Sequence, residues 1–412
     1  MLKLQSQKGA WRWWRLVLTV LAVLAFVAIV AFLAYQITRP IAEFKNDNPH
    51  SKTAKSAVTT QSVSSKIMVT GDVFFSRFTN AAAMKSDLKY AYPFARLNEF
   101  HRENYDAWVG DMECPVTNLP QPTADEEETT LSFNCSAKYL PEMSKYFDAM
   151  TLANNHTDNR GVEGFEQTQN NLAENGVQYF GSYDPEDYDN LCDVISLPAR
   201  VKFSDNSVKK ADLPLAFCGY HGVFQIPTQR SVDEITKFAK YMPTIALPHS
   251  GAEYKAGPDQ IKTTLYRSMI DAGADVVIGD HAHWVQSSEA YEGHLILYSL
   301  GNFMFDQQFN NEVTRSVALV MDVTADQKDN PDLTKWLSLA GSCKEYRDTC
   351  IEKAAAENLK PLKLSYRFSI VGSDNLGRQT HPATDAQLAS MKRRLNWSET
   401  ITGLTGQFSG RD

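Results

Sequence analysis

The chain has 412 residues, a formal net charge of -8 at pH 7, six cysteines, 43% apolar and 11% aromatic residues. That much apolar surface offsets the entropy of ordering, which excludes a disordered or collagenous chain, and the length allows one large or two to three ordinary domains. The acidic balance excludes a generally basic nucleic-acid binder, because tracking phosphates takes an excess of Lys and Arg.

No charged residue occurs between Arg15 and Arg39, and residues 16–35 are almost purely apolar. Twenty helical residues cover roughly 30 Å, the hydrocarbon thickness of a bilayer. Lys3, Lys8, Arg12 and Arg15 precede the stretch, with Trp11, Trp13 and Trp14 at the position of an interfacial belt. The positive-inside rule keeps this end cytoplasmic and the rest of the chain outside. The stretch is longer than the core of a cleaved signal and ends without an Ala-x-Ala site, so an uncleaved single-pass anchor of the cell (inner) membrane is expected. The boundaries are 1–15 for the cytoplasmic end and 16–38 for the transmembrane segment. A solvated tether, 39–66, follows, rich in Ser, Thr, Lys and Ala. Setting aside the four leading positive charges leaves about -12 on the exported part. All six cysteines lie beyond the apolar stretch, where disulfides are permitted; Cys343 with Cys350 is the best local pairing.

From Lys66 onward, short apolar runs recur at 67–70, 107–109, 149–152, 215–218, 244–247, 275–278, 295–298 and 316–323. Such runs fit strands buried on both faces. Helical patterns separate them, near 162–175, near 232–239, and from Pro258 to Gly273 with Ile261, Leu265 and Met269 at four-residue spacing. Alternating strands and helices give an α/β architecture. Beyond about Asp322 the pattern loosens; 362–371 reads as a strand, 385–395 as an amphipathic helix, and 323–412 as an extension packed on the main domain, 67–322.

Polar residues cluster directly after the apolar runs: Asp72, Asp111 and Glu113, Asn154, Asn155 and His156, His249, then His281 and His283. Ligands of open α/β sheets bind beyond the carboxyl ends of strands, so five such endings point to one crevice. His, Asp, Glu and Asn suit borderline divalent ions such as Zn, Mn or Fe. Two sequences read as neutral: the acidic run 125–128, taken as a solvated loop, and 372–378, which resembles a P-loop but lacks its Lys and Ser/Thr and is taken as a hairpin turn.

At these segments the chain resembles the bacterial CapA family of poly-γ-glutamate capsule synthesis proteins, within the calcineurin-like metallophosphatase fold. The resemblance is carried by Gly71-Asp72-Val73 with Arg77, by 111–117, by Asn154-Asn155-His156 with Gly161, by 249–254, by 271–283, and by 298–306. It implies a metallophosphatase-like αββα sandwich preceded by a single N-terminal transmembrane helix. It also implies metal ligands: Asp72 and His283 on one ion, Asn155, His249 and His281 on a second, and Glu113 bridging. His156 would be the catalytic general acid or stabilising donor. Arg77, as an anion clamp, with Asn154, Glu253 and Asn302, would contact substrate. Where the family usually has Asp three residues after the motif histidine, this chain has Asn159. Implied partners are an anionic polymer (poly-γ-glutamate) or a phosphoester, the membrane, and other capsule synthesis or export proteins. No nucleotide motif is present and the site is expected to face outward, so the chain is not the ATP-dependent polymer ligase. Three roles follow: a capsule-biosynthesis component acting on the polymer, a metallophosphoesterase of the envelope, or a non-catalytic scaffold subunit.

Overall fold

The computed structural model describes residues 58–345 and 347–411. The expected cytoplasmic end, transmembrane segment and most of the tether lie outside the described residues. Among the described residues no helix is long and apolar enough to cross a membrane.

The organising strand is β1, Thr60–Val73. Its first half, Thr60–Ser64, pairs antiparallel with β7 (Cys192–Phe203), and from Ile67 onward it pairs in parallel with β2 (Ala107–Met112). Thr60–Lys66, placed in the tether by its polar composition, is therefore strand; Val63 and Ser65 are buried. The change of neighbour forks the sheet. One branch continues from β7 to β8 (Val208–Gly222), β9 (Thr244–Ser250), β10 (Val276–Ile278), β12 (His294–Leu297) and β11 (Ser288–Tyr291). The other continues from β2 to β5 (Ala149–Thr151) and β6 (Gln178–Phe180). A small separate pair, β3 (Val116–Thr117) and β4 (Cys135–Ser136), lies beside the second branch.

Period-two alternation shows how the branches stack. Ile67, Val69, Ala107, Val109 and Ala149 share one apolar cluster with Leu215, Phe217, Ile245 and Val276 of the other branch. The intervening Met68, Trp108 and Met150 face outward with Phe165 and Leu172 of the helix Gly161–Glu174. On the opposite outside, Cys218, Ala246, Val277 and Ile296 pack with Val232 and Ile235 of the helix Gln229–Ala239 and with Leu265 and Met269 of the helix Gln260–Asp271. The order is helix, sheet, sheet, helix, a mixed α/β fold around one shared interior.

The helix Gln260–Asp271 starts two residues later than Pro258, where the sequence placed its start. Asp259 is the N-cap and accepts from the Lys262 N–H at 2.8 Å. Its buried face is Lys262, Leu265, Tyr266, Met269 and Ile270, while Ile261 is 61% exposed. A strict four-residue repeat drifts about 40° per step on a helix of 3.6 residues per turn, so the first member of the expected stripe falls off the face.

β13 (Asn302–Met304) pairs with the end of β1. β14 (Arg315–Asp326) runs through the expected boundary at Asp322 and pairs with β1 on one side and β15 (Ser365–Asp374) on the other. β16 (His381–Pro382) and β17 (Phe408–Gly410) complete this edge. Trp336, Leu395, Trp397 and Phe408 belong to the same interior cluster as Ile67, so the segment after Asp322 contributes to the core. The segment after β15 turns back into antiparallel β16, as the hairpin reading requires. Disulfides join Cys343 to Cys350, as expected, Cys114 to Cys135, and Cys192 to Cys218, the last pair being register partners on β7 and β8.

Candidate metal centre

The carboxyl ends of β1, β2, β5, β9 and β10 converge. Asp72 on β1 is the register partner of Asp111 on β2 and of Asn302 on β13. The approach requires Gly71, where an added Cβ would stand 2.0 Å from the Gly301 carbonyl oxygen. His281 (φ 81°) and His283 (φ 56°) both occupy left-handed backbone, a cost on the order of 1–3 kcal/mol each that is typical of functional loops.

His249 is fully buried, with Nδ1 at 2.6 Å from Asp111 Oδ2. A carboxylate holding the Nδ1 proton turns the Nε2 lone pair inward, the arrangement that orients metal-ligating histidines. That Nε2 faces Asn155 Oδ1 at 2.8 Å and His281 Nδ1 at 3.2 Å. His283 Nδ1 stands 2.8 Å from Asn302 Oδ1 and 3.1 Å from Asp72 Oδ2. Ligand atoms of Asp72, Glu113 and His283 lie within 4.8 Å of one another, and so do those of Asp72, Asp111 and His249. Asp72 is common to both sets; Glu113, expected to bridge, has Oε1 3.9 Å from His249 Nε2.

Whether these residues fit a cation is decided by their unpaired atoms. Asp72 Oδ1 and both Glu113 oxygens are buried without a hydrogen-bond partner. Buried carboxylate oxygens left unpaired cost several kcal/mol unless a proton or cation compensates them. Electrostatics agree: burial, then the charges of Asp72 and Asp111, push the Glu113 carboxyl well above its ordinary range. Burial also opposes ionisation of Asp72, but its hydrogen bond to His283 and that ring's charge outweigh it and hold Asp72 low. Burial and the neighbouring His249 and His283 push His281 well below the ordinary imidazole range. An acceptor-rich, donor-poor pocket of imidazoles and carboxylates fits one or two borderline divalent cations.

His156 stands beside this cluster. Burial pushes its ring down to about 3. Its Nδ1 is 3.1 Å from Asn159 Oδ1, an oxygen that also accepts the Phe133 N–H at 2.9 Å. Because that oxygen is an acceptor, His156 donates through Nδ1 and keeps Nε2 as a proton acceptor. In this neutral state Nε2 is free to accept a hydrogen bond or a proton.

Three of the expected substrate contacts have other partners. Arg77 donates through Nε and one Nη to Asp306 (2.6 and 2.7 Å) and through the other Nη to Glu128 (2.6 Å), so all three guanidinium nitrogens already face carboxylates of this chain. Asn154 is buried, donates to Asp111 Oδ1 and the Met112 carbonyl, and accepts from the N–H groups of His156 and Thr157; it shapes the turn. Asn302 is buried and orients His283, donating to the Val313 carbonyl at 3.0 Å. Only Glu253 is exposed at the mouth, beside His156 and His283. The acidic run is not a solvated loop. It lies in the capped helix Ala124–Thr130, where buried Glu127 accepts from the Ser76 hydroxyl and the N–H groups of Arg77 and Asn134.

Residues beyond the expected ligand set also matter. Asp111, in the same motif as Glu113, holds His249. Asp280 has a buried unpaired Oδ1, and Lys262, fully buried, donates to the Asp280 carbonyl at 3.1 Å. A buried lysine on a helix face reads from sequence as exposed, so only Asp280, directly after β10, left a signal.

The family model described as Bacterial capsule synthesis protein PGA_cap matches residues 66–307, more than half of the chain. The chain belongs to that family. Over 267 residues it is 30% identical to the PGA biosynthesis protein CapA of Bacillus subtilis (strain 168), covering 61% of this chain and 65% of that protein. Over 259 residues it is 25% identical to the capsule biosynthesis protein CapA of Bacillus anthracis, covering 61% of each. The chain thus spans just under two thirds of the length of these relatives. A solved structure, that of TT1561 of Thermus thermophilus, aligns with 62% of this chain and 93% of its own at 10% identity and a TM-score of 0.35. The family match contains every residue of the strand-end cluster.

Proposed function

We propose that this CapA-family capsule biosynthesis protein acts on the anionic poly-γ-glutamate polymer at a divalent-metal centre built from Asp72, Glu113, Asn155, His249, His281 and His283, in a metallophosphatase-like domain. The observation that carries the reading is the set of buried, unpartnered oxygens of Asp72 and Glu113 among imidazoles. A bound divalent ion supplies Lewis-acid polarisation and a lowered water pKa. The chain's own residues supply the rest. Asp111 and Asn302 fix the ring orientations of His249 and His283. Nε2 of His156 accepts a proton at the cleft, with its ring held against Phe133 at a centroid distance of 4.5 Å. Aromatic walls at the mouth, Phe133, Tyr254 and Phe305, limit water access.

The disulfides support a body outside the cytoplasm, held there by the apolar stretch 16–35, beside other proteins of capsule synthesis and export. Elemental analysis of the purified chain tests the centre: one or two equivalents of Mn, Zn or Fe, lost in His281→Ala, are expected. No bound metal after reconstitution with each ion would leave the scaffold role. Hydrolysis of an aryl phosphate, abolished in His156→Ala and unaccompanied by any action on the polymer, would make the chain an envelope phosphoesterase.

A further inference from the structure

We propose that Arg378, on the turn between β15 and β16, is the anion-binding residue of the cleft over the metal centre and takes a carboxylate or phosphate group of the substrate. The inference rests on the reading of that cluster as the substrate site, and it names the group that recognises substrate charge there.

The cleft, about 440 Å³, opens over His156 and His283 and has two arginines in its wall, Arg77 and Arg378. Arg77 gives an N–H from each of its three guanidinium nitrogens to Asp306 or Glu128. Arg378 spends only its Nε, donated to the Asp306 carbonyl at 3.1 Å. Among the described residues its two terminal nitrogens have no hydrogen-bond partner and no carboxylate within ion-pair distance. Its guanidinium carbon lies 5.8 Å from the Phe78 ring, which leaves a planar pair of donors suited to bidentate capture of an oxyanion. The other charges of the wall make this cation necessary for an anionic substrate. Arg77 pairs with both Glu128 and Asp306 and offsets only one of their two charges, and exposed Glu253 has no ion pair among the described residues, so without Arg378 the mouth would repel anions more strongly.

The turn that carries Arg378 is fastened to the mouth. The Gly377 N–H donates to Gln308 Oε1 (2.9 Å), Gln308 donates to Asn375 Oδ1 (3.0 Å), and the Tyr92 hydroxyl donates to the Gly377 carbonyl (2.8 Å). Arg378 itself sits at φ 61°, a backbone state held by these bonds. The residue lies beyond the family match, which ends at 307, so the motif-bearing segments supply the metal centre and the C-terminal segment supplies the charge recognition.

The test titrates the full-length, Mn-loaded chain with two probes, a γ-linked glutamate oligomer and inorganic phosphate. Arg378→Gln is expected to weaken binding of at least one probe about tenfold or more and to flatten its salt dependence, with Arg378→Lys in between and Mn affinity unchanged. Dependence on Arg378 for the oligomer supports both this assignment and the polymer reading. Dependence for phosphate alone, with no oligomer binding, keeps Arg378 as the anion residue and overturns the polymer reading. Equal affinities of wild type and Arg378→Gln for both probes, or no binding of either by wild type, overturns the assignment.

Discussion

Arg77 and Asp111 both act through other side chains of the chain. Arginine near an anionic site reads as a clamp, but here three nitrogens are met by Asp306 and Glu128, and the Asp306 side chain is fully buried. Arg77→Ala therefore strands a buried carboxylate and is expected to cost about 3–5 kcal/mol, read from urea unfolding, with poor rescue by Arg77→Lys, which lacks the fork. Asp111, one of the polar residues of the strand ends but outside the implied ligand set, holds His249 at 2.6 Å. Asp111→Asn is expected to weaken divalent-metal binding 10–100-fold in a competitive chelator titration, since the group that orients a ligating histidine matters nearly as much as the histidine. Strand-end position made Asp111 and His249 visible and the family resemblance pointed to Arg77; which of them supports another side chain depends on partners distant in sequence.

The helix Gln260–Asp271 and the strand β10 that follows it allow two checks at the scale of the element. If the buried face is as described, Met269→Ala costs about 2–5 kcal/mol, while Ile261→Ala stays within about 0.5 kcal/mol, both measured by thermal or urea unfolding. Asp275 precedes β10 and accepts the Tyr366 hydroxyl of β15 at 2.7 Å. Burial pushes its carboxyl up to about 6 from the ordinary 3.8. The folded state thus binds this proton more tightly than the unfolded chain, so the Asp275 contribution to stability is present below about pH 4 and lost as pH rises to about 6. Asp275→Asn is expected to remove that loss and gain roughly 2 kcal/mol over wild type at pH 7 relative to pH 4, seen as a flattened stability profile. The eight apolar runs all became strand because each is short and continuous. β7 gave no such run: its inward Ile195, Leu197, Ala199 and Val201 alternate with Ser196, Pro198 and Arg200, a pattern of period two that a search for continuous runs passes over.

For the whole molecule, the central fact is that β1 is shared. Because β14 pairs along β1 and β15 along β14, the segment after Asp322 closes the same interior as the motif-bearing part. Truncation after Asp326 removes Trp336, Leu395, Trp397 and Phe408 from the core and is expected to give an insoluble or unfolded chain, judged by circular dichroism and size-exclusion chromatography of the truncated protein. The sequence by itself determined the α/β class, eight of the strands with the helices between them, the convergence of polar residues at the strand ends and the family, because these depend on local periodicity and on motifs contiguous in the chain. It also identified the Cys343–Cys350 pair, whose partners are only seven residues apart. Only the tertiary structure decided that Val63 and Ser65 are buried and that Trp336, Leu395, Trp397 and Phe408 join the core, that Arg77 is paired with Asp306 and Glu128, that Asn154 and Asn302 bond to neighbouring side chains and backbone, and that Arg378 stands at the mouth of the cleft. Those outcomes depend on which charges and apolar faces meet between different elements, from 11 residues apart for Asn302 and Val313 to 229 for Arg77 and Asp306, where burial and hydrogen-bond competition, rather than residue type, choose the partner.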